Sequence, residues 1–294
     1  MRFITCRLPD GVEDPAILSE DGRQVWPLSW LGLSYETLSE AIPFLTPQVR
    51  YGLSLAIAGI PALPVEAVTL ESPIPAPAQD VICLGINYFD HAKESEAVAG
   101  KGVKAPDTFP IYFSKRVTRA VPDGGPIEAH TDLVKKLDYE CELAVVLGRD
   151  ARDVPAGQTR DYIFGYTILN DVSARDVQTA HKQWYFGKSL DGFTPIGPCI
   201  VTADAFADYP PRLGIRSFVN GEKRQDSNTA LQIFDIDHVI AELSQGMTLK
   251  AGTIIATGTP AGVGMGMDPP QFLKPGDVVR CEIEGIGTLT NPVK

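Results

Sequence analysis

Leu137-Asp138-Tyr139-Glu140-Cys141-Glu142-Leu143-Ala144-Val145-Val146-Leu147-Gly148 is the stretch on which the reading of this chain turns. Its second half is continuously apolar and β-prone, and Gly148 closes it, so it reads as a buried strand. Side chains alternate faces along a strand, which places Asp138, Glu140 and Glu142 on one side. Three neighbouring carboxylates repel one another and are costly to bury unless positive charge lies among them. A hard divalent cation (Mg²⁺, Mn²⁺ or Ca²⁺) meets that need, since such ions prefer oxygen ligands. Taken alone, the stretch fits an edge strand with a solvated acidic face equally well. The decision rests on what surrounds it.

Composition bounds the alternatives. A chain of 294 residues, 44% hydrophobic and 21% charged, has ample material for a large globular core and a smaller unit. The formal charge of −11 argues against nucleic acid or an anionic membrane surface as partner. An anionic substrate would have to be received by local positive charge. The five cysteines are scattered without a CxxC pair, which suits reduced thiols in a cytoplasm. Met1–Cys6 has no apolar leader character and no run approaches the length of a membrane span. The expected localisation is cytoplasmic.

Residues 1–70 read as a small N-terminal α+β domain, with strand-like pieces about a turn at Glu20-Asp21-Gly22 and a helical stretch from about Tyr35 to Ile57. Ser72-Pro73-Ile74-Pro75-Ala76-Pro77 is a stiff extended connector, and residues 71–294 form the second domain. That domain opens with the strand Asp80–Gly85. His91 and Glu94 follow, three apart on a helical turn, where a carboxylate can fix the imidazole tautomer and raise its basicity for general-base work. His-x-x-Glu is a weak motif, and an incidental surface contact fits it as well. Phe109–Lys115 reads as a strand and Asp123-Gly124-Gly125 as a turn.

A second buried strand, Phe164–Asp171, ends in an acid where a helix from Ser173 to about Trp184 begins. The carboxyl end of a strand is a usual place for site residues, although a cap of that helix fits Asp171 as well. Arg175 and Gln178 share a helical face and together suit a carboxylate-bearing ligand. Phe186-Gly187-Lys188-Ser189 imitates the tail of a phosphate loop, but the earlier glycine of that motif is missing, which rejects a nucleotide site. Gly262-Val263-Gly264-Met265-Gly266 imitates a dinucleotide fingerprint, but Pro269-Pro270 forbids the helix that should follow. The remaining reading is a loop whose backbone closely approaches a ligand. Arg216–Glu222 predicts a hairpin with an Asn-Gly turn, Ile236–Gln245 a short amphipathic helix, and Gly276–Leu289 a hairpin turning at Gly285.

Five segments, in order and sensibly spaced, resemble the fumarylacetoacetate hydrolase family. They are Leu84–His91, Asp138–Leu143, Asn170–Asp176, Gly187–Ser189 and Ala256–Pro260, and the match spans roughly residues 75–294. The nearest subgroup is that of bacterial acylpyruvate hydrolases and oxaloacetate decarboxylases. The resemblance implies a mixed α/β, β-rich fold of β-roll or sandwich type, assembled as a homodimer. It also implies one Mg²⁺ or Mn²⁺ held by Glu140, Glu142 and Asp171, with Asp138 a neighbour rather than a ligand. Arg175, Gln178 and Thr259 fall at substrate-binding positions; His91, Glu94 and Lys188 fall at catalytic ones. Many relatives carry proline after the segment Phe113-Ser114-Lys115, whereas this chain has Arg116.

On that pattern the substrate is a small anionic 2-oxo or 2,4-dioxo acid. The His91–Glu94 pair would activate a water to attack the 4-oxo carbon of an acylpyruvate such as fumarylpyruvate or acetylpyruvate, and pyruvate would leave as its enolate beside the cation and Lys188. C–C hydrolysis is thus the first expectation. Oxaloacetate decarboxylation, or tautomerisation or isomerisation of a 2-oxo acid, is the alternative on the same site. A metal-stabilised binding protein would leave Arg175, Gln178, Lys188 and His91 without a task, and a phosphotransferase would leave the acidic strand unexplained.

Overall fold

The computed structural model describes residues 1–99 and 109–294; the first two residues of the expected strand segment from Phe109 are irregular and the strand itself is Ile111–Lys115. The strand Cys141–Leu147 is buried along its whole length and lies near the middle of a large sheet. Its antiparallel neighbours are Ile163–Asn170 and Ile254–Ala256. Beyond Ile254–Ala256 come Val81–Gly85, in parallel, and then Ile111–Lys115. Beyond Ile163–Asn170 comes Ile196–Thr202, and then the N-terminal strand Arg2–Arg7, with Arg2 opposite Val201 and Phe3 opposite Ile200. Glu13–Leu18, Gln24–Pro27 and Leu63–Pro64 continue that side, and Thr69–Glu71 also pairs with Arg2–Arg7.

Alternation along Cys141–Leu147 divides the interior in two. Cys141, Leu143, Val145 and Leu147 face a core shared with a second, four-stranded sheet through Ile215, Val279, Cys281 and Leu289. Ala144 and Val146 face the other core, shared with Leu38, Ile42, Leu45 and Leu53 of the N-terminal helical segment. Both faces of the strand are therefore dry, which explains its near-continuous apolar run. Glu142 has the same phase as Ala144 and Val146, so the acidic end of the strand is the terminus of an apolar face and not a solvated edge. The fold is mixed α/β and dominated by sheet.

Residues 1–70 add strands to this same sheet and side chains to both cores. The connector is extended but packed: Ser72, Pro73, Ile74 and Pro75 are buried, Thr5 Oγ1 donates to Pro73 O at 2.9 Å, and Ala120 N donates to Pro75 O at 2.7 Å. The expected helix 35–57 is divided into Leu38–Ala41, a 3-10 turn Ile42–Phe44 and the helix Pro47–Ala56. Pro43 and Pro47 cannot donate within a continuous helix, while Thr46 caps the second piece by accepting from Val49 N at 3.3 Å. The expected helix 173–184 is likewise shorter. Ser173–Ala174 pairs with Leu137–Asp138 as a two-residue strand, and helices follow at Arg175–Ala180 and Tyr185–Lys188.

The hairpins form as read. Gly214–Val219 and Glu222–Asn228 are joined through Asn220 and Gly221, both with positive φ (52° and 84°), the backbone a tight two-residue turn requires. Val278–Ile283 pairs with Gly287–Pro292 across Gly285. The amphipathic helix is Ile236–Leu243, capped by Asp235 accepting from His238 N at 2.8 Å. Among the described residues no helix is long and apolar enough to cross a membrane.

Candidate active site

Backbone pairing brings the acids together. Asn170 lies opposite Cys141 and Leu169 opposite Glu142, and Asp171 N donates to Glu140 O at 2.8 Å. Glu140 N in turn donates to the Asn170 side chain at 3.0 Å. Carboxylate oxygens of Glu140, Glu142 and Asp171 consequently lie within 4.8 Å of one another, and all three residues are buried. Asp171 does not cap the helix after it: the capping position is Ala174, without a side-chain hydrogen bond.

Asp138 stands apart from this cluster, because the strand is interrupted at Tyr139 and Glu140 and strict alternation fails there. The face reading that grouped it with Glu140 and Glu142 is therefore corrected. Asp138 accepts instead from Gly264 N at 2.7 Å, Met265 N at 3.0 Å and Arg175 Nε at 2.9 Å. It is a brace between the glycine-rich loop and the arginine. The glycines of that loop answer to space: a Cβ on Gly264 would sit 2.2 Å from Gln271 O, and one on Gly262 2.1 Å from Arg224 O. The loop closely approaches protein backbone and not only a cavity.

Three cations answer the acids. Lys188 Nζ donates to Glu140 Oε2 at 2.6 Å and Asp171 Oδ2 at 2.8 Å. Lys115 donates to Asp171 Oδ1, and also to Val172 O at 3.1 Å and Phe193 O at 2.9 Å. Arg175 Nη2 lies 2.7 Å from Glu140 Oε1, and Nη1 donates to Gln178 Oε1 at 3.2 Å. Lys115 was not among the residues that sequence reasoning singled out for the site. A lone lysine ending an apolar strand was its only signal. The Arg116 departure has a local consequence: its N–H, which proline would lack, donates to Ser189 Oγ at 3.0 Å and ties this strand end to the residue after Lys188. Gly187 is explained by packing, since a Cβ there would lie 2.5 Å from Gln178 N.

The electrostatics single out Glu142. Burial, then the neighbouring Asp171 and Glu140, push its carboxyl well above the ordinary range. Its Oε2 accepts from Gly258 N at 2.8 Å, but among the described residues it forms no ion pair. Glu140 is the opposite case. Burial opposes its charge, but Arg175 and Lys188 overcome that and hold the carboxyl well below the usual carboxylate range. For Lys188, burial is likewise outweighed by Asp171 and Glu140, which raise it. Four buried carboxylates (Asp138 included) thus face three buried cations, and the unanswered one is Glu142. A divalent cation fits this donor set: three hard oxygens converge, and the member without a cationic partner is one of them.

A cavity of about 150 Å³ opens onto Glu140, Glu142, Arg175, Gln178, Lys188 and His91. Thr259 lines it too, with its hydroxyl engaged: Oγ1 donates to Cys141 O at 2.9 Å and accepts from Gln225 Nε2 at 2.7 Å. Arg175 Nη2, ion-paired with Glu140 Oε1 at 2.7 Å, makes no in-line hydrogen bond among the described residues, and its guanidinium lines the cavity. His91 Nδ1 lies 2.9 Å from Glu94 Oε2, and Glu94 Oε1 accepts from Gly262 N at 3.0 Å. The nine residues proposed from sequence are thus assembled about one centre: seven line the cavity, Glu94 joins it through His91, and Asp171 lies behind, paired with Lys188 and Lys115.

Residues 80–294 match the model for the fumarylacetoacetate (FAA) hydrolase C-terminal region. The chain belongs to the fumarylacetoacetate hydrolase family. Over 226 residues, 77% of this chain and 73% of the relative, it is 44% identical to oxaloacetate tautomerase YisK of Bacillus subtilis. Among solved structures it is similar to the fumarylacetoacetate hydrolase of Exiguobacterium antarcticum, with a TM-score of 0.81 and 39% identity over 100% of this chain and 99% of that one. It is also similar to the maleylpyruvate hydrolase of Sphingobium, solved with manganese(II) and pyruvate, with a TM-score of 0.78 and 28% identity over 100% and 98% of the two chains. Similarity therefore reaches both a tautomerase and hydrolases of oxo acids.

Proposed function

We propose that this protein is a divalent-metal-dependent enzyme that forms an enolate from a small anionic 2-oxo acid, and that its reaction is the interconversion of the keto and enol forms of oxaloacetate. The observation that carries the proposal is the convergence, on one 150 Å³ cavity, of the acidic triad's Glu140 and Glu142, the Arg175 guanidinium and the His91 ring. The small cavity volume of about 150 Å³, comparable to one that holds a benzene-sized ligand, favours a four-carbon acid over a long acylpyruvate. The 44% identity to a Bacillus oxaloacetate tautomerase supports the same choice, and moves weight from hydrolysis, the first expectation from sequence, to tautomerisation.

Glu140, Glu142 and Asp171 would hold Mg²⁺ or Mn²⁺, which when bound polarises a 2-oxo group and offsets enolate charge. Arg175, braced by Asp138, offers its guanidinium to the substrate carboxylate. Glu94 accepts from His91 Nδ1, which leaves Nε2 as the base that removes and returns a proton at C3. Lys188 supplies an ammonium close to the oxygen on which charge develops.

Cleavage of 2,4-dioxo acids is the second reading, favoured by the likeness to the maleylpyruvate hydrolase along the whole chain. In it the same His91 nitrogen would deprotonate a water. As in that family pattern, we propose that the working unit is a homodimer. A panel of oxaloacetate, acetylpyruvate and fumarylpyruvate, each with Mg²⁺ and with Mn²⁺, tests the choice. Faster decay of the oxaloacetate enol absorbance than in buffer supports the first reading. Cleavage of the dioxo acids without that acceleration supports the second.

A further inference from the structure

We infer that Trp184 is a specificity-determining residue that sets how long a chain the cavity accepts beyond the 2-oxo group. The inference rests on the reading of the cavity as a 2-oxo acid site. The charged groups of the cavity account for a carboxylate and an oxo oxygen; apart from Ser95, Gln178, Thr179 and Thr259, what remains of its lining is apolar, chiefly Leu84, Ile86, Phe113, Trp184 and Met265. The remainder of any substrate must therefore meet this wall.

Trp184 occupies the wall by a fitted contact. It lies in the bend between the helices Arg175–Ala180 and Tyr185–Lys188, both of which supply cavity residues. Its ring rests on the backbone of Gly85: a Cβ at Gly85 would lie 2.3 Å and 2.7 Å from two ring carbons. Gly85 has no positive φ that would demand glycine, so at this position glycine serves space. The indole also meets Phe113 edge-on, ring centroids 5.2 Å apart, and the Phe113 ring centroid in turn lies 5.2 Å from Lys188 Nζ. The indole is thus one aromatic ring removed from the charged centre. Among the described residues it has no hydrogen bond to the acids or cations, so its removal enlarges the apolar end without unpairing the polar end.

Calorimetric titration of the Mn²⁺-loaded protein with pyruvate and with 2-oxooctanoate tests this. Trp184→Ala should bind pyruvate within about threefold of wild type. It should bind 2-oxooctanoate at least tenfold more tightly than wild type does, since each newly housed methylene contributes about fourfold. Trp184→Phe, which keeps a ring against Phe113, should move the same way by less and guards against a folding defect. Gly85→Ala should lower the melting temperature in the wild-type background and much less in the Trp184→Ala background. Intact pyruvate binding with an unchanged chain-length ratio would overturn the role of Trp184 alone. Failure of the wild type to bind pyruvate at all would instead overturn the 2-oxo acid reading, and the inference with it.

Discussion

Lys115 and Asp171 form an ion pair in which neither side chain reaches solvent. The lysine spends its other donors on two carbonyl oxygens, Val172 O and Phe193 O. Oδ1 of Asp171 is thereby fixed on the side away from Lys188, and Oδ2, paired with Lys188, is turned toward Glu140. Lys115 thus positions one member of the acidic triad without lining the cavity itself.

Lys115→Met should therefore be costly in two separable ways. Breaking a buried pair while leaving the partner charged typically costs about 3–5 kcal/mol, which urea denaturation of the metal-free protein will read. Manganese affinity should also fall, because Asp171 is free to turn. Unchanged stability and unchanged affinity would show that Lys115 is not what orients Asp171.

Glu140 and Glu142 should respond in opposite directions to the same isosteric change. Glu140 is paired with Arg175 and Lys188, so Glu140→Gln removes favourable partners and should lower the melting temperature of the metal-free protein. Glu142 faces Asp171 and Glu140 as like charges, so Glu142→Gln should raise it by a few degrees, about 2–4 °C per kcal/mol at this size. Both variants should lose the stabilisation that added Mn²⁺ gives the wild type. Thermal melts with and without the ion check all four values.

Asp138→Asn distinguishes a brace from a ligand. An amide in place of the carboxylate weakens the contacts from Arg175 Nε, Gly264 N and Met265 N, with a stability loss of about 1–3 kcal/mol. Manganese binding should survive, while KM rises because Arg175 is no longer held. Loss of the ion in this variant would return Asp138 to the ligand set.

Much of this centre was legible in the sequence because it obeys local periodicity. His91 and Glu94 are three apart on a helix, and Arg175 and Gln178 likewise, and each pair meets as spacing alone predicts; Glu140 and Glu142, two apart, also converge, although Glu140 lies just outside the strand. Asp138 shows where periodicity fails: the strand breaks at Tyr139, and its partners Gly264 and Met265 are remote in sequence. Lys115 was invisible for the same reason, since its acceptors, at 171 and 172 and at 193, come from two segments remote in sequence. Nor does a local pattern tell that Arg2–Arg7 will pair with Ile196–Thr202 and carry residues 1–70 into the main sheet.

His91→Ala separates proton transfer from charge stabilisation. A general base usually contributes about 10²–10⁴-fold, so enol–keto interconversion of oxaloacetate, and any cleavage of dioxo acids, should fall by that factor. Decarboxylation of oxaloacetate needs no base at C3 and should fall much less. Equal losses in all three reactions would show that His91 supports the site in some other way.

Chelation tests most directly whether Glu140, Glu142 and Asp171 hold a catalytic cation. Protein stripped of divalent ions should interconvert oxaloacetate tautomers at the rate of buffer alone. Mn²⁺ or Mg²⁺ should restore activity to the wild type, with one ion taken up per chain by calorimetry, and restore none to Glu142→Gln. Full activity in excess chelator would contradict the assignment.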